Sequence, residues 1–126
     1  MNFNLTKEQE MVRKLMHEFA EKEVKPIAAE IDEEGRFPRE TVDKMARYSM
    51  MGIPFPKELG GAGGDTLSYI IAVEELSRVC GTTGVILSAH TSLGAHPIYQ
   101  FGTEEQKEKY LKPLAEGRYL GAFGRT

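Results

Sequence analysis

The chain has no tryptophan and a single cysteine, Cys80, among its 126 residues. One thiol cannot close an internal disulfide, so nothing asks for an oxidising compartment, and a reducing cytoplasm is the expected setting. Basic residues are in slight deficit, 16 Lys and Arg against 19 Asp and Glu, for a formal net charge of −3. No predicted face gathers a Lys/Arg cluster, which removes the patch that replaces counterions on nucleic-acid phosphates. The N-terminal run Met1-Asn2-Phe3-Asn4-Leu5-Thr6-Lys7 lacks a charged stretch followed by an apolar one and does not read as a signal peptide. The longest uncharged segment is broken by Gly81, Gly84, Gly94 and Pro97, too often to span a bilayer. His17, His90 and His96 are not spaced with Cys80 or carboxylates as metal ligands are, so no metal site is expected.

The glycine-rich run from Leu59 to Asp65 lacks both the dinucleotide fingerprint and the Gly-Lys-Ser/Thr ending of a phosphate loop. It also joins two predicted helices, where a nucleotide loop joins a strand to a helix. Its glycines suit a sharp turn with positive φ.

What is present is helical periodicity. Thr6-Lys7-Glu8-Gln9 reads as a capping box, and Val12, Leu15, Met16 and Phe19 follow at helical spacing. The apolar phase shifts at Pro26 to Val24, Ile27 and Ile31, which predicts a kinked helix, or two in sequence, ending near Gly35. A second helix is expected from Pro38 to Met51, stopped by Gly52. Asp65 is placed to cap a third over Thr66 to Val79, apolar on several sides and therefore expected to be central. Gly81 should end it, and Thr82 or Thr83 should start a fourth. Pro97 opens or bends a short helix that stops at Gly102, and Thr103-Glu104-Glu105-Gln106 is a second capping box. The first strand-like stretch is Tyr119 to Gly124, and one strand forms no sheet alone.

From Val79 to Phe101 there is no Asp, Glu, Lys or Arg, in a chain with 28% charged residues. Burial by protein or by a ligand is the remaining explanation. Ile86, Ala89, His90 and Leu93 fall at i, i+3, i+4 and i+7 on one helix face, which is either bundle core or the wall of an apolar ligand slot. His90 and His96 could each bond a backbone carbonyl or line a pocket. Glu74 and Glu75 point about 100° apart on a helix and do not make a catalytic pair. A partly buried ion pair of Arg78 with Glu74 is the simpler account.

Several pieces in a fixed order go further: Phe3 to Gln9, Gly52-Ile53-Pro54-Phe55-Pro56 through Gly63, Glu74 to Arg78, Ser92-Leu93-Gly94-Ala95-His96-Pro97-Ile98, Phe101 to Lys107, Tyr110-Leu111, Pro113-Leu114-Ala115 and Gly121 to Gly124. Along essentially its whole length the chain resembles the N-terminal domain of the acyl-CoA dehydrogenases, and Ser88 to Gly94 is most similar to bacterial short-chain members acting on butyryl-CoA. The resemblance implies an all-α bundle of about five or six helices over residues 1–118, with 119–126 as the start of a middle β domain and its first strand. It implies FAD as cofactor, an acyl-CoA substrate, an electron-transferring flavoprotein as electron acceptor and a homo-oligomer, usually a tetramer. By position, Ile86, Ala89 and Leu93 match the fatty-acyl slot, which raises the slot reading above the core reading. Phe123, Gly124 and Thr126 match the start of the flavin-binding segment, where Arg125 puts a charge at an aliphatic position. The family's catalytic glutamate lies in a C-terminal domain and has no counterpart here, so no catalytic residue is expected and the chain alone should be inactive. The alternative is a free-standing helical module that binds protein through its uncharged face.

Overall fold

A computed structural model describes all of residues 1–126. In chain order the helices are α1 (Lys7–Phe19), α2 (Lys25–Glu34), α3 (Arg39–Arg47), α4 (Thr66–Val79), α5 (Gly81–Ala89), α6 (His96–Phe101), α7 (Glu104–Gln106) and α8 (Lys112–Ala115). Three π-turns, Ala20–Val24, His90–Ala95 and Lys107–Leu111, join α1 to α2, α5 to α6 and α7 to α8. The result is five helical rods in an all-α bundle, as the sequence predicts.

Each π-turn has the same cause. The residue just before a proline donates its N–H five residues back: Lys25 to Ala20, His96 to Thr91 and Lys112 to Lys107. A proline inside a helix has no N–H, and its ring collides with the carbonyl four residues earlier, at a cost of about 3 kcal/mol or more. Widening the preceding turn by one residue moves that carbonyl aside and converts a break into a bend. The apolar phase shift at Pro26 is the sequence trace of the first of these turns.

The caps hold as expected. Thr6 accepts from the Gln9 backbone N–H at 3.2 Å, and Gln9 Oε1 accepts from the Thr6 N–H at 2.9 Å. Thr103 and Gln106 repeat the arrangement. Asp65 caps α4 by accepting from the Ser68 N–H at 2.7 Å. Gly35 closes α2 with φ of 63°, a left-handed cap.

Two boundaries differ from the sequence reading. α3 ends at Arg47, short of Met51, because Ser49 adopts φ of 61° and the chain re-forms as a 3-10 turn over Met50–Gly52. Gly81 does not end α4; it opens α5, and the extended Cys80 alone separates the two helices.

The glycine run is a closed turn. Gly60 and Gly63 take φ of 84° and 71°. The N–H groups of Gly61, Ala62, Gly63 and Gly64 donate to the carbonyls of Pro56, Gly52, Phe55 and Ile53 at 2.8–3.0 Å. Its donors are consumed internally, which leaves none to cradle a phosphate.

α4 packs between α1 and α5. Its inward side chains Ala72 and Leu76 join Met16, Phe19, Val24, Met45, Met51 and Leu87 in the main core. Each fully buried large apolar side chain contributes about 1.5–3 kcal/mol. Leu67 and Ile70, also on α4, stay 45% and 48% exposed, so the helix is central but not covered all round. A second, smaller core of Phe55, Ala95, Leu111 and Ala115 ties the far rods together. No helix is long and apolar enough to cross a membrane. Tyr119–Gly124 forms no strand; the segment has no ladder partner here and lies against the π-turn of the α5–α6 rod.

Candidate functional site

The uncharged run Val79–Phe101 is the α5–π-turn–α6 rod, and its two faces differ. Thr83, Leu87, His90, Thr91 and Ala95 are buried. Val85 and Leu93, on the outward side, remain 65% and 46% exposed. Such apolar exposure in a segment without one charge is what an interaction or ligand wall looks like before it is covered.

The candidate slot residues are not equivalent. Ile86 is half-buried and packs against the main core. Ala89 is half-buried at the end of α5, and Leu93 projects outward from the π-turn. A regular helix would stack all three on one stripe. The wide turn beginning at His90 sits between Ala89 and Leu93 and displaces Leu93 from the 3.6-residue period. Proline-induced widening was not part of the sequence argument, and Pro97 was the available signal.

His90 is one of the two histidines, with His96, that the sequence left undecided. It is fully buried, and its Nε2 lies 3.1 Å from both the Met51 and the Leu114 carbonyl oxygens. The Gly121 N–H donates to its Nδ1 at 2.9 Å. Burial pushes its pKa below the ordinary histidine value, against the smaller opposing influence of the two carbonyls. His90 therefore stays neutral, with the hydrogen on Nε2 and the lone pair on Nδ1. His96, by contrast, is exposed, with its ring 6.3 Å from that of Tyr99.

Tyr119–Thr126 leaves α8 and passes this histidine. Gly121 crosses Gly94 so closely that a Cβ on Gly94 would stand 2.8 Å from the Gly121 Cα. Beyond that crossing Phe123 is 59% exposed, and Gly124 and Thr126 are exposed. His90 adjoins Ala89 and bonds Gly121, two residues before Phe123, so the contact with the Ala89–Leu93 region is made by Gly121, while Phe123, Gly124 and Thr126 stand exposed beyond it.

The paired carboxylates are structural. Glu75 is buried and receives Arg13 at 3.0 Å, His17 at 3.1 Å and Arg78 at 3.4 Å. Burial raises its pKa, but hydrogen bonds from His17, Arg13 and Arg78 outweigh that and hold it low. Glu74 turns instead toward Arg13. Arg78 pairs with Glu75 and with Glu21 at 2.7 Å. The pair expected between Arg78 and Glu74 is not formed: Arg78 reaches Glu75, the buried carboxylate at i−3 that also receives Arg13 and His17 of α1, and Glu74 is left largely exposed. His17 Nδ1 lies 3.1 Å from both Glu75 Oε2 and the Arg78 guanidinium, and a single ring nitrogen serves one of them at a time, as donor to the carboxylate or acceptor from the arginine. Cys80 is buried and accepts from the Thr83 hydroxyl at 3.3 Å.

Away from this rod, Leu15, Tyr48 and Met50 are shared by two adjoining cavities of about 380 Å3 each along α1. Met11, Leu15 and Tyr48 are 63%, 55% and 61% exposed there, forming an apolar groove in which, of the three, only Leu15 belongs to the helical stripe read from the sequence.

Comparison with known proteins agrees with this architecture. The family described as "Acyl-CoA dehydrogenase, N-terminal domain" matches residues 6–118. The chain is 73% identical, over its whole length and 33% of the relative's, to a short-chain-specific acyl-CoA dehydrogenase of Clostridium acetobutylicum. Butyryl-CoA dehydrogenase of Megasphaera elsdenii superposes with a TM-score of 0.90 at 46% identity, over 95% of this chain and 32% of that one. A chain from a structure titled for the electron transferring flavoprotein of Acidaminococcus fermentans gives 0.92 at 53% identity, with 95% and 32% covered. The chain spans about a third of the length of these relatives. A bundle of this topology, matched in sequence from Thr6 to Arg118, belongs to the acyl-CoA dehydrogenase N-terminal domain family.

Proposed function

We propose that the chain supplies the acyl-chain wall of a flavin-dependent acyl-CoA dehydrogenase acting on a short-chain thioester. The observation that carries this is the uncharged Val79–Phe101 rod, whose outward face keeps Val85, Ala89 and Leu93 at or near the surface. Ile86 backs that face from the core, and Ala89 and Leu93 present small and branched apolar surface to an acyl chain. Both exclude water from the carbons next to the reacting thioester. The high identity to a short-chain-specific relative supports a short substrate.

Residues 119–126 would form the connection to a β domain, with 1–118 as the helical domain. Phe123, Gly124 and Thr126 fit a flavin: an exposed aromatic ring, a backbone without ladder bonds and an exposed hydroxyl follow one another there. FAD, when bound, supplies hydride acceptance from the acyl β-carbon. The α-proton needs a positioned carboxylate. The rod that would form the wall, Val79–Phe101, carries no Asp or Glu, so the base would be contributed by another domain. An electron-transferring flavoprotein as partner is supported by the likeness to a chain from such a structure. Assembly as a homo-oligomer, with a tetramer expected, and a cytoplasmic location complete the reading.

The test is to sequence the gene past the codon for Thr126, express whatever reading frame continues and assay it. Flavin absorbance and anaerobic bleaching by butyryl-CoA are expected. A colourless protein, or one that is yellow but unresponsive to every acyl-CoA, would overturn the reading.

A further inference from the structure

We infer that His90 is a positioning residue: its lone-pair Nδ1 holds Gly121, and with it the approach to Phe123, against the π-turn at Gly94, on the stretch of chain that carries Ala89 and Leu93. What that positioning serves rests on the function proposed above; the geometry itself does not.

Three contacts demand one tautomer. Nε2 faces two carbonyl oxygens at 3.1 Å and must carry the hydrogen. Nδ1 faces the Gly121 N–H at 2.9 Å and must carry the lone pair. Only the neutral ring with its hydrogen on Nε2 satisfies all three. One buried side chain therefore joins the Met50–Gly52 turn, α8 and the C-terminal segment to the same point of the α5–α6 rod.

The glycines make a second, independent observation. A Cβ on Gly121 would meet the Gly94 Cα at 3.1 Å and His90 Nδ1 at 3.4 Å, and one on Gly94 would meet the Gly121 Cα at 2.8 Å. The segment is seated by a backbone crossing that no side chain would permit at Gly94. Ala89 and Leu93 lie on either side of His90 in sequence, so the ring that holds the segment is carried on the same stretch of backbone as the wall. A histidine that merely filled the core would need no acceptor at Nδ1.

The two functions of the ring can be separated. An asparagine amide reaches about as far as Nδ1, and a glutamine amide about as far as Nε2. His90→Asn thus keeps an acceptor for Gly121, and His90→Gln keeps the donor to the two carbonyls while releasing the segment. The experiment is NMR on the full 126-residue chain labelled with 15N. The ring nitrogen shifts should report hydrogen on Nε2 and none on Nδ1, with slowed exchange at the Gly121 amide. His90→Gln should lose that protection by about fivefold to tenfold, the worth of one net hydrogen bond. The Ile71, Leu76 and Leu87 amides should keep theirs. His90→Asn should retain Gly121 protection, and Gly94→Ala should lose it with the His90 tautomer unchanged.

Hydrogen on Nδ1, or equal Gly121 protection in His90→Gln and the parent chain, would overturn the inference. If His90→Gln loosens the core amides as well, Gly94→Ala decides, and undiminished protection there overturns it. These outcomes leave the dehydrogenase reading standing, whereas an inactive longer protein with an intact His90–Gly121 bond removes the function and keeps the positioning.

Discussion

Gln9 Nε2 donates to Asp65 Oδ2 at 2.8 Å, so the residue that closes the capping box of α1 also grips the cap of α4. Two helix starts are tied by one amide between residues 56 positions apart in sequence. The bonds from Ser68 and Gln9 hold the Asp65 pKa below its ordinary value. Asp65→Ala removes the cap and leaves the Gln9 amide without its partner. A loss of about 1–2 kcal/mol is expected, seen as a fall of about 4–8 °C in Tm. Asp65→Asn, which still caps, should lose less. Equal losses in the two variants would show that the cap geometry is not what holds α4.

The π-turn account predicts a specific non-additivity. Deleting the exposed Lys22 from Ala20–Val24 would restore a regular turn without rotating the apolar stripes on either side. With Pro26 in place the ring then meets a carbonyl, at a cost of about 3 kcal/mol or more. In a Pro26→Ala background the same deletion should cost much less. Urea unfolding of the four proteins completes the cycle, and additive effects would mean that proline is not the cause of the wide turn.

The three prolines also mark how far the sequence could be read. Helix identity, both capping boxes, the Asp65 cap and the Gly35 stop followed from residue type and spacing, because caps are local chemistry. The placement of Leu93 did not. It depends on a turn widened by Pro97, and a fixed 3.6-residue period cannot represent that. His90 and His96 share one uncharged run, yet the first is buried and the second exposed, because the bonds of His90 to Met51, Leu114 and Gly121 join residues 24 to 39 positions away. The Ser49 break in α3 had no local signal, since serine seldom adopts positive φ.

Acid should destabilise the chain in two stages. His90 is kept neutral by burial, with its folded pKa below 6.5, whereas in the unfolded chain it protonates freely. The unfolded state then binds more protons, so this contribution is complete above the ordinary histidine value and shrinks as pH falls through it. Asp65 and Glu75 are held low in the folded chain, so their contribution is present above the ordinary carboxylate range and fades at more acidic pH. Urea midpoints measured between about pH 7.5 and pH 5 should decline in the parent chain and decline less in His90→Gln. Parallel curves would remove His90 from the account.

On the proposed function, Ala89 should set the depth of the acyl slot in an enzyme that contains this chain. Ala89→Leu adds bulk to the wall and should shift preference toward shorter thioesters by about 1–3 kcal/mol per displaced methylene. The comparison is kcat/KM for butyryl-, hexanoyl- and octanoyl-CoA in both proteins. An unchanged ratio would return this face to plain packing.

Alone, the 126-residue chain should neither oxidise butyryl-CoA nor remain strictly monomeric. Val85, Leu93, Phe101 and Phe123 are each at least 46% exposed, and Met11, Leu15 and Tyr48 line an open groove. A net charge of −3 offers little mutual repulsion at physiological ionic strength. Light scattering over a concentration series should show self-association, and an acceptor-coupled assay with added FAD should stay at the level of a no-protein control. A monomer at every concentration, or turnover, would each contradict this picture.

Cys80 gives the α4–α5 hairpin an unusual mechanical character. It is at once the last cap of one helix and the first of the next, in an extended conformation with φ of −155° and ψ of 106°. The two helices therefore meet at a joint with one residue's pair of torsions and no slack. Gly84 closes that joint, since a Cβ there would stand 1.9 Å from the Ser77 Oγ. With Gly84 against Ser77 the two arms are as close as they can come. Whatever the outward face of α5 touches, it is presented on an arm whose pitch is set 9 residues before Ala89, by the torsions of a single cysteine.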